Sequence, residues 1–510
     1  MSLFGIFNSH RSILLNQAAI NLINNNIANI NTPGYSKQRL ELSQQVTVDS
    51  GVNTTISRAQ SGAGAVIDNI TRNRDAYLDA YFRKETTGLS FYKELNETAS
   101  LMEDITNELG DTGINQALNE FYNTAHELSI NPNDSIIRNN LVQKAKDLCN
   151  KFNLTYDRLD DLRSNLVGDV TNPATLNTSK IALDVNDLNV KLSALANINK
   201  TICDSSSQGA PPNGLLDQRD ILLDQIAEYI PITVTQGSNS LVTVSLNGVD
   251  LVKNKEQVGF FNVATGTTSN PATVRILDED NNIVVANANS SITSGKIGAI
   301  LEMGGSDSSK LNIYNVLTEL NTLAREFSRE INTIHQGGQY IDTSVSPNQL
   351  ALVSAAPFDI FVEQDGVDTA TYADLTAGNI KVNQDIIDDV FKIAAAGATS
   401  AVNETGDGSN ALVMAEFRNT KIAALNSSST ESYLNAVVGN LGIQVKSVQD
   451  NYESQDTIVQ QISSKRESTI GVNLDEELAD LIRFQRSFEA SAKVLTVVNE
   501  AMQRIINLAG

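Results

Sequence analysis

The stretch Leu22-Ile-Asn-Asn-Asn-Ile-Ala-Asn-Ile-Asn-Thr-Pro-Gly-Tyr-Ser36 ends a helical pattern that starts near the amino terminus, and its reading decides how the chain is built. Upstream, Ile6, Ile13, Ile20 and Ile27 recur at every seventh position, and Ile23 and Ile30 fill the adjacent row. That spacing makes one apolar stripe on a helix. The break that follows is Asn31, Thr32, Pro33, Gly34 and Tyr35. Pro33 pushes Thr32 out of the helical region, and Pro-Gly supplies the fixed and the positive φ of a type II turn.

The carboxyl end matches it. Asn473 opens a capping box with Glu476, and Asp475, Glu476 and Glu477 suit the positive end of a helix dipole. Nothing breaks the pattern over residues 474–508, a rod of about 50 Å at about 1.5 Å per residue. Leu474, Leu478, Leu481, Phe488, Ala492, Leu495, Met502 and Ile506 line one seam, with Gln485 and Asn499 as polar members that could set register. Residues 469–472 cut this rod from the text before it. An isolated amphipathic helix is marginal in water, and each apolar side chain left exposed forgoes roughly 1.5–3 kcal/mol. The two end helices are therefore expected to pair with each other and with neighbouring copies, through the seam residues and the break just named.

Between the ends, residues 61–230 read as long bundle helices. Tyr77, Tyr81, Leu95, Met102 and Leu109 mark the first; Ile114, Leu118, Phe121, Ala125 and Leu128 mark a shorter one, closed by Asn131-Pro132 with Asp134 as the next cap. Leu141 to Leu166 and Leu188 to Ile202 continue the pattern. After Pro231 the text alternates with period two, as in Val242-Thr-Val244-Ser-Leu246, and Asn247-Gly248 signals a hairpin. Helical text resumes with Tyr314, Leu317, Ala324, Phe327, Ile331 and Ile334, and returns for good near Ser409.

The fold class expected is mainly α with a smaller β part: a long helical bundle, a terminal coiled coil, and an inserted β-rich outer domain. The terminal coiled coil and its linker take residues 1–60 and 467–510. The bundle takes 61–230, 301–338 and 401–466, and the outer domain takes 231–300, to which 339–400 can be added.

A formal net charge of -23 argues against nucleic acid, because a phosphate-binding surface needs clustered Lys and Arg. No apolar run reaches the roughly 18 residues of a membrane span, and the first residues lack a basic region and a cleavage site. Cys149 and Cys203 sit beside apolar residues and read as buried thiols. His10, His126 and His335 fall in separate helical patterns without metal spacing, so no metal or cofactor is expected. Gly62-Ala63-Gly64 and Gly304-Gly305 lack the Lys and Ser/Thr of a phosphate loop. Asp217-Gln218-Arg219-Asp220 could suggest paired catalytic carboxylates, but spacing of three in a helix more often makes a surface ion network or a cap. No catalytic residue is assigned.

The stretch 22–36 resembles the amino-terminal signature of the flagellar rod, hook and hook-associated axial proteins, and residues 471–495 resemble the matching carboxyl end. Thr112-Gly113-Ile114-Asn115-Gln116-Ala117-Leu118, Asn131-Pro132 and Leu215-Leu216-Asp217-Gln218-Arg219-Asp220 resemble the hook-associated branch that joins hook to filament. The resemblance implies a non-enzymatic structural subunit required for filament assembly. It further implies self-association, contacts with hook protein and with the next hook-associated protein, and a type III export chaperone on the C-terminal helix. The location implied is the extracellular flagellum, reached without a cleaved signal peptide. Two rivals remain at this point: a secreted hydrolase or adhesin whose β region holds the activity, and a cytosolic coiled-coil scaffold.

Overall fold

The structure, a computed structural model, describes residues 3–44, 65–107, 113–206, 212–355, 358–364 and 372–509. Helix α1 (Leu3–Ala28) leads through the Pro-Gly break into an antiparallel hairpin of β1 (Gln38–Gln44) and β2 (Ala65–Arg72). The helical text then folds as α2 (Ala76–Asn107), α3 (Ile114–Ile130), α4 (Ser135–Val167), α5 (Lys180–Ser206) and α6 (Asn213–Tyr229). Ile114, Leu118, Phe121, Ala125 and Leu128 are all fully buried, as the spacing requires. Asp134 caps α4 by accepting from the Ile136 amide at 2.7 Å. Tyr77 and Tyr81 depart from expectation: they stack on each other at 6.4 Å on the exposed face of α2. Leu109 lies outside the described residues.

After Pro231 come a four-stranded meander, β3 (Thr233–Gln236), β4 (Val242–Leu246), β5 (Val249–Lys253) and β6 (Glu256–Gln257), and a three-stranded one, β7 (Phe260–Thr265), β8 (Ala272–Leu277) and β9 (Ile283–Val285). Asn247 and Gly248 join β4 to β5 with φ of 46° and 85°, the double positive φ of a primed hairpin turn. The strand-like text stops before residue 300, because α7 (Gly295–Gly304) is already helical. There follow α8 (Ile313–Gln336), the short hairpins β10 (Gln339–Asp342) with β11 (Gln349–Leu352) and β12 (Phe361–Glu363) with β13 (Ile380–Val382), α9 (Gln384–Asp388) and α10 (Ser409–Glu416). Turns interrupt the helical text once more before α11 (Thr430–Ile470) and α12 (Leu474–Ala509).

Two large apolar cores organise the body. In one, Val244, Leu251, Val274 and Ile276 of the sheets share buried contacts with Leu192, Ile226, Ile297 and Leu441 of the helices. In the other, Phe121, Phe152 and Phe327 meet Phe361 and Ile380 from the second β-bearing segment, with Phe327 and Phe361 rings 5.2 Å apart. The described residues of 339–400 thus pack on the helices α3, α4 and α8, away from the strands of 231–300.

Arg138, fully buried, ties this second core together. Its guanidinium donates to the carbonyls of Pro132 at 2.7 Å and Ile393 at 2.8 Å. His335 is fully buried beside it, with Nε2 3.2 Å from the Lys392 carbonyl, and burial depresses its pKa to about 4. A histidine held neutral in the fold and free to charge near 6.5 when unfolded stabilises fully above pH 6.5. That stability is lost as pH falls from about 6.5 to about 4, by about 3 kcal/mol in all at about 1.4 kcal/mol per unit. His335→Gln should flatten the fall in denaturant midpoint between pH 7 and pH 4.5. An unchanged slope would remove His335 from the acid response.

Candidate assembly interface and its anchor

Helices α1 and α12 lie along one another. The fully buried face of α1 is Ser9, Asn16, Ala19, Ile23 and Asn26, a row of mostly small or amide side chains. Small residues let two helices approach closely, and Ser12 and Ser491 hydroxyls meet across the seam at 2.8 Å. On α12 the side facing α1 carries Glu477, Leu481, Phe484, Phe488, Ser491, Leu495, Val498 and Met502 at alternating spacings of four and three, all at least partly covered.

Ile13, Ile20 and Ile27 are only half-covered, on the flank of this seam, and the back of α1 exposes Phe7 and Leu14. Leu474, Leu478, Ile482, Val494 and Val497 are likewise exposed on α12. Gln485 and Asn499 point to solvent, so they set no register between α1 and α12; the polar seam positions include Ser9, Ser12, Asn16 and Asn26 of α1 and Glu477 and Ser491 of α12. The side chain of Ile506 lies outside the described residues.

The break forms the turn that the sequence required. The Tyr35 amide donates to the Thr32 carbonyl at 3.1 Å, and Gly34 has φ of 75° at the position after Pro33. Asn31, Thr32 and Pro33 are exposed. A Cβ on Gly34 would sit 2.6 Å from the Ile221 side chain of α6. Gly34→Ala should therefore cost about 2 kcal/mol, combining the left-handed backbone with the need to displace Ile221. Native-state hydrogen exchange of the α1 and β1 amides would report it, and unchanged protection would refute the packing argument.

Just past the turn, a polar latch joins three segments. Asn26, 1 % exposed, accepts from the Tyr35 hydroxyl at 2.8 Å and the Gln38 amide at 3.1 Å. It also donates to the Glu477 carboxylate and the Gln38 carbonyl, both at 3.1 Å. Burial, with Asp217 and Glu477 nearby, raises the Tyr35 pKa to about 12, so the phenol stays a donor. Lys37 bridges Glu476 and Glu477 at 2.9 Å each. Asn473 does cap α12, accepting from the Asp475 amide at 3.0 Å, but Glu476 reaches Lys37 rather than completing a capping box. The carbonyls freed where α11 ends are satisfied from the other end of the chain: Ile470 accepts from the Lys37 amide at 2.8 Å and Thr469 from Asn73 at 2.6 Å.

Below the latch lies a buried ion network, where the sequence suggested a surface one. Asp220 of α6 meets Arg72 at 2.9 Å, Arg74 at 2.7 Å and Arg83 at 3.5 Å. Asp217 holds Arg72 at 2.7 Å and the Ser36 hydroxyl at 2.7 Å. Arg466, near the end of α11, bridges Asp79 at 2.8 Å and Asp224 at 2.7 Å and stacks over Phe82. Burial alone would raise the Asp220 pKa, but Arg74, Arg72, Arg83 and Arg219 together hold it below the usual range. At Asp79 burial wins over Arg74, Arg466 and Arg83, and its pKa is raised. These residues fasten the hairpin, α2, α6 and α11 together where the terminal rod meets the body. Neither Asn26 nor Arg466 stood out in the sequence; an amide inside an apolar stripe was the available signal for the first.

Charge divides along the same line. Residues 1–44 and 471–510 carry seven acidic and seven basic side chains, so the net charge of -23 resides wholly on residues 45–470. Among the described residues no cluster of His, Cys, Asp and Glu is placed to hold a metal, and no helix is long and apolar enough to cross a membrane. Cys149 and Cys203 are buried, and burial pushes the Cys149 thiol far up.

Comparison with known proteins converges on one group. The family described as flagellar hook-associated protein FlgK helical domain matches residues 99–348, and the flagellar basal body rod FlgEFG protein C-terminal family matches residues 463–508. Flagellar hook-associated protein 1 of Bacillus subtilis (strain 168) is 30% identical over 529 residues, covering 99% of this chain and 98% of that protein. The protein of the same name from Salmonella typhimurium is 22% identical, covering 96% and 97%. The solved flagellar hook junction protein FlgK from Burkholderia pseudomallei has the same fold, with a TM-score of 0.57 at 13% identity over 76% of this chain and 100% of that one. With near-complete coverage at that identity, and with both terminal helices and the helical body accounted for, the chain belongs to the flagellar hook-associated protein 1 family.

Proposed function

We propose that this chain is a structural subunit of the junction between flagellar hook and filament, polymerised through its paired terminal helices. The observation that carries this is the apolar surface left on a neutral rod: Phe7 and Leu14 on α1, Ile482 and Val497 on α12. Packing many copies side by side requires surfaces that do not repel, and the rod meets that condition while the acidic body does not. The half-covered Ile13, Ile20 and Ile27 complete the face offered to neighbours, with the Pro33-Gly34 turn fixing where the rod leaves the body.

The partners in this reading are further copies, hook protein on one side, and the next hook-associated protein on the other. An export chaperone would cover the apolar side of α12 before assembly, and the chain would reach the cell exterior through the flagellar exporter. The role requires no catalysis. Deletion followed by electron microscopy is the test: short hooks without filaments, with flagellin shed into the medium and reversal by the intact gene, are expected. Normal filaments in the deletion strain would end this reading. Protease treatment of purified monomer should trim both ends first and spare a body near residues 60–465.

A further inference from the structure

A cleft of about 460 Å³ opens beside the ion network, walled by Arg72 of β2, Arg74 just past it, Asp79 and Arg83 of α2, Arg219 and Asp220 of α6, and Thr233 and Gln236 of β3. Its charges do not balance. Arg72, Arg74, Arg83, Arg219 and Arg466 face the carboxylates Asp79, Asp217, Asp220 and Asp224, and every ion pair among them belongs to an arginine other than Arg219. Arg219 is only 4 % exposed. One of its terminal nitrogens donates to the Ser240 carbonyl, while its Nε has no partner among the described residues. Arg74 Nη1 is also left without one.

Asp220 acts on Arg219 through space without an ion pair, so the buried N–H groups left unanswered on Arg219 and Arg74 are costly, and an anion from outside the chain is expected to answer them. The turn that holds Arg219 is itself unusual. Asn239 and Ser240 have consecutive φ of 56° and 59°, a conformation disfavoured for residues other than glycine and often kept where a ligand is held. Arginine forks match the oxygens of phosphate and sulfate in a bidentate way.

We infer that this cleft is an oxyanion site, taking a phosphate-sized tetrahedral anion between Arg219 and Arg74. Bound there, the anion braces β2 of the hairpin against β3 and α6, and so stiffens the root of the terminal rod. The site is independent of the assembly reading, because it lies wholly within one chain.

The test uses the full-length chain and inorganic phosphate. At pH 7.5, 20 mM phosphate should raise the melting temperature by about 3 °C over sodium chloride or acetate of equal ionic strength. Arg219→Gln should abolish that rise. No rise in the native chain, an equal rise in the variant, or stabilisation by acetate instead of phosphate would each overturn the assignment. Should the variant fail to fold, the ³¹P line of phosphate decides on the native chain alone. Broadening that sulfate reverses and chloride does not supports the site, and an unaffected line refutes it.

Discussion

Asp220→Ala is expected to cost about 3–5 kcal/mol and to loosen the terminal rod from the body, the largest effect on stability we anticipate at a single polar residue. Removing one partner from a buried charge cluster leaves the others unanswered, and such losses run to about 3–5 kcal/mol. Here three guanidiniums, those of Arg72, Arg74 and Arg83, lose a shared carboxylate that is 7 % exposed. Asp220→Asn should be nearly as damaging, since it keeps the volume and removes the charge. The sign with pH follows from the lowered pKa: the contribution is present above about pH 4, the ordinary carboxylate value, and lost as pH falls through the lower folded value. Denaturant titration would give the loss, and a double-mutant cycle with Arg74→Ala would give the coupling. Coupling near zero would show that the short distances carry no energy.

Ile482→Glu with Val497→Glu should leave the monomer intact and abolish its incorporation. Both side chains are more than half exposed, at 59 % and 54 %, on the side of α12 turned away from α1. Surface changes of this kind move stability by about 0.5 kcal/mol or less. In a polymer the same positions would be buried in every subunit, where each lost apolar contact removes roughly 1.5–3 kcal/mol and a buried carboxylate adds a further penalty. Together they should weaken each contact by about 100-fold or more. The check is twofold: an unchanged melting curve for the purified variant, and at least a tenfold fall in filament-bearing cells when it replaces the native chain. Normal filament numbers would place the assembly face elsewhere on the rod.

Much of this architecture was legible before any coordinates. Periodicity located α3, α4, α5, α8 and α12, because a helix packed on a core must repeat its apolar residues at 3.6-residue spacing. The Pro33-Gly34 turn and the Asn247-Gly248 hairpin were equally readable, since their φ values restrict the residue types allowed. The two terminal stripes pointed to self-association because no helix with that much apolar surface is stable alone.

What the linear text could not carry is which stripe faces which partner. Ile13, Ile20 and Ile27 are the most apolar row of α1, yet the row buried against α12 is Ser9, Asn16, Ala19, Ile23 and Asn26, because close approach of two helices selects for size. The anchor was hidden for a related reason. Arg72, Asp220 and Arg466 are hundreds of residues apart or in unrelated segments, and only the folded chain excludes water around them and turns common surface residue types into one buried lattice. Local chemistry fixes helices, turns and caps through interactions within a few residues. Pairing, burial of charge, and the apolar face left over for neighbours depend on contacts between distant segments, and those exist only once the chain has folded.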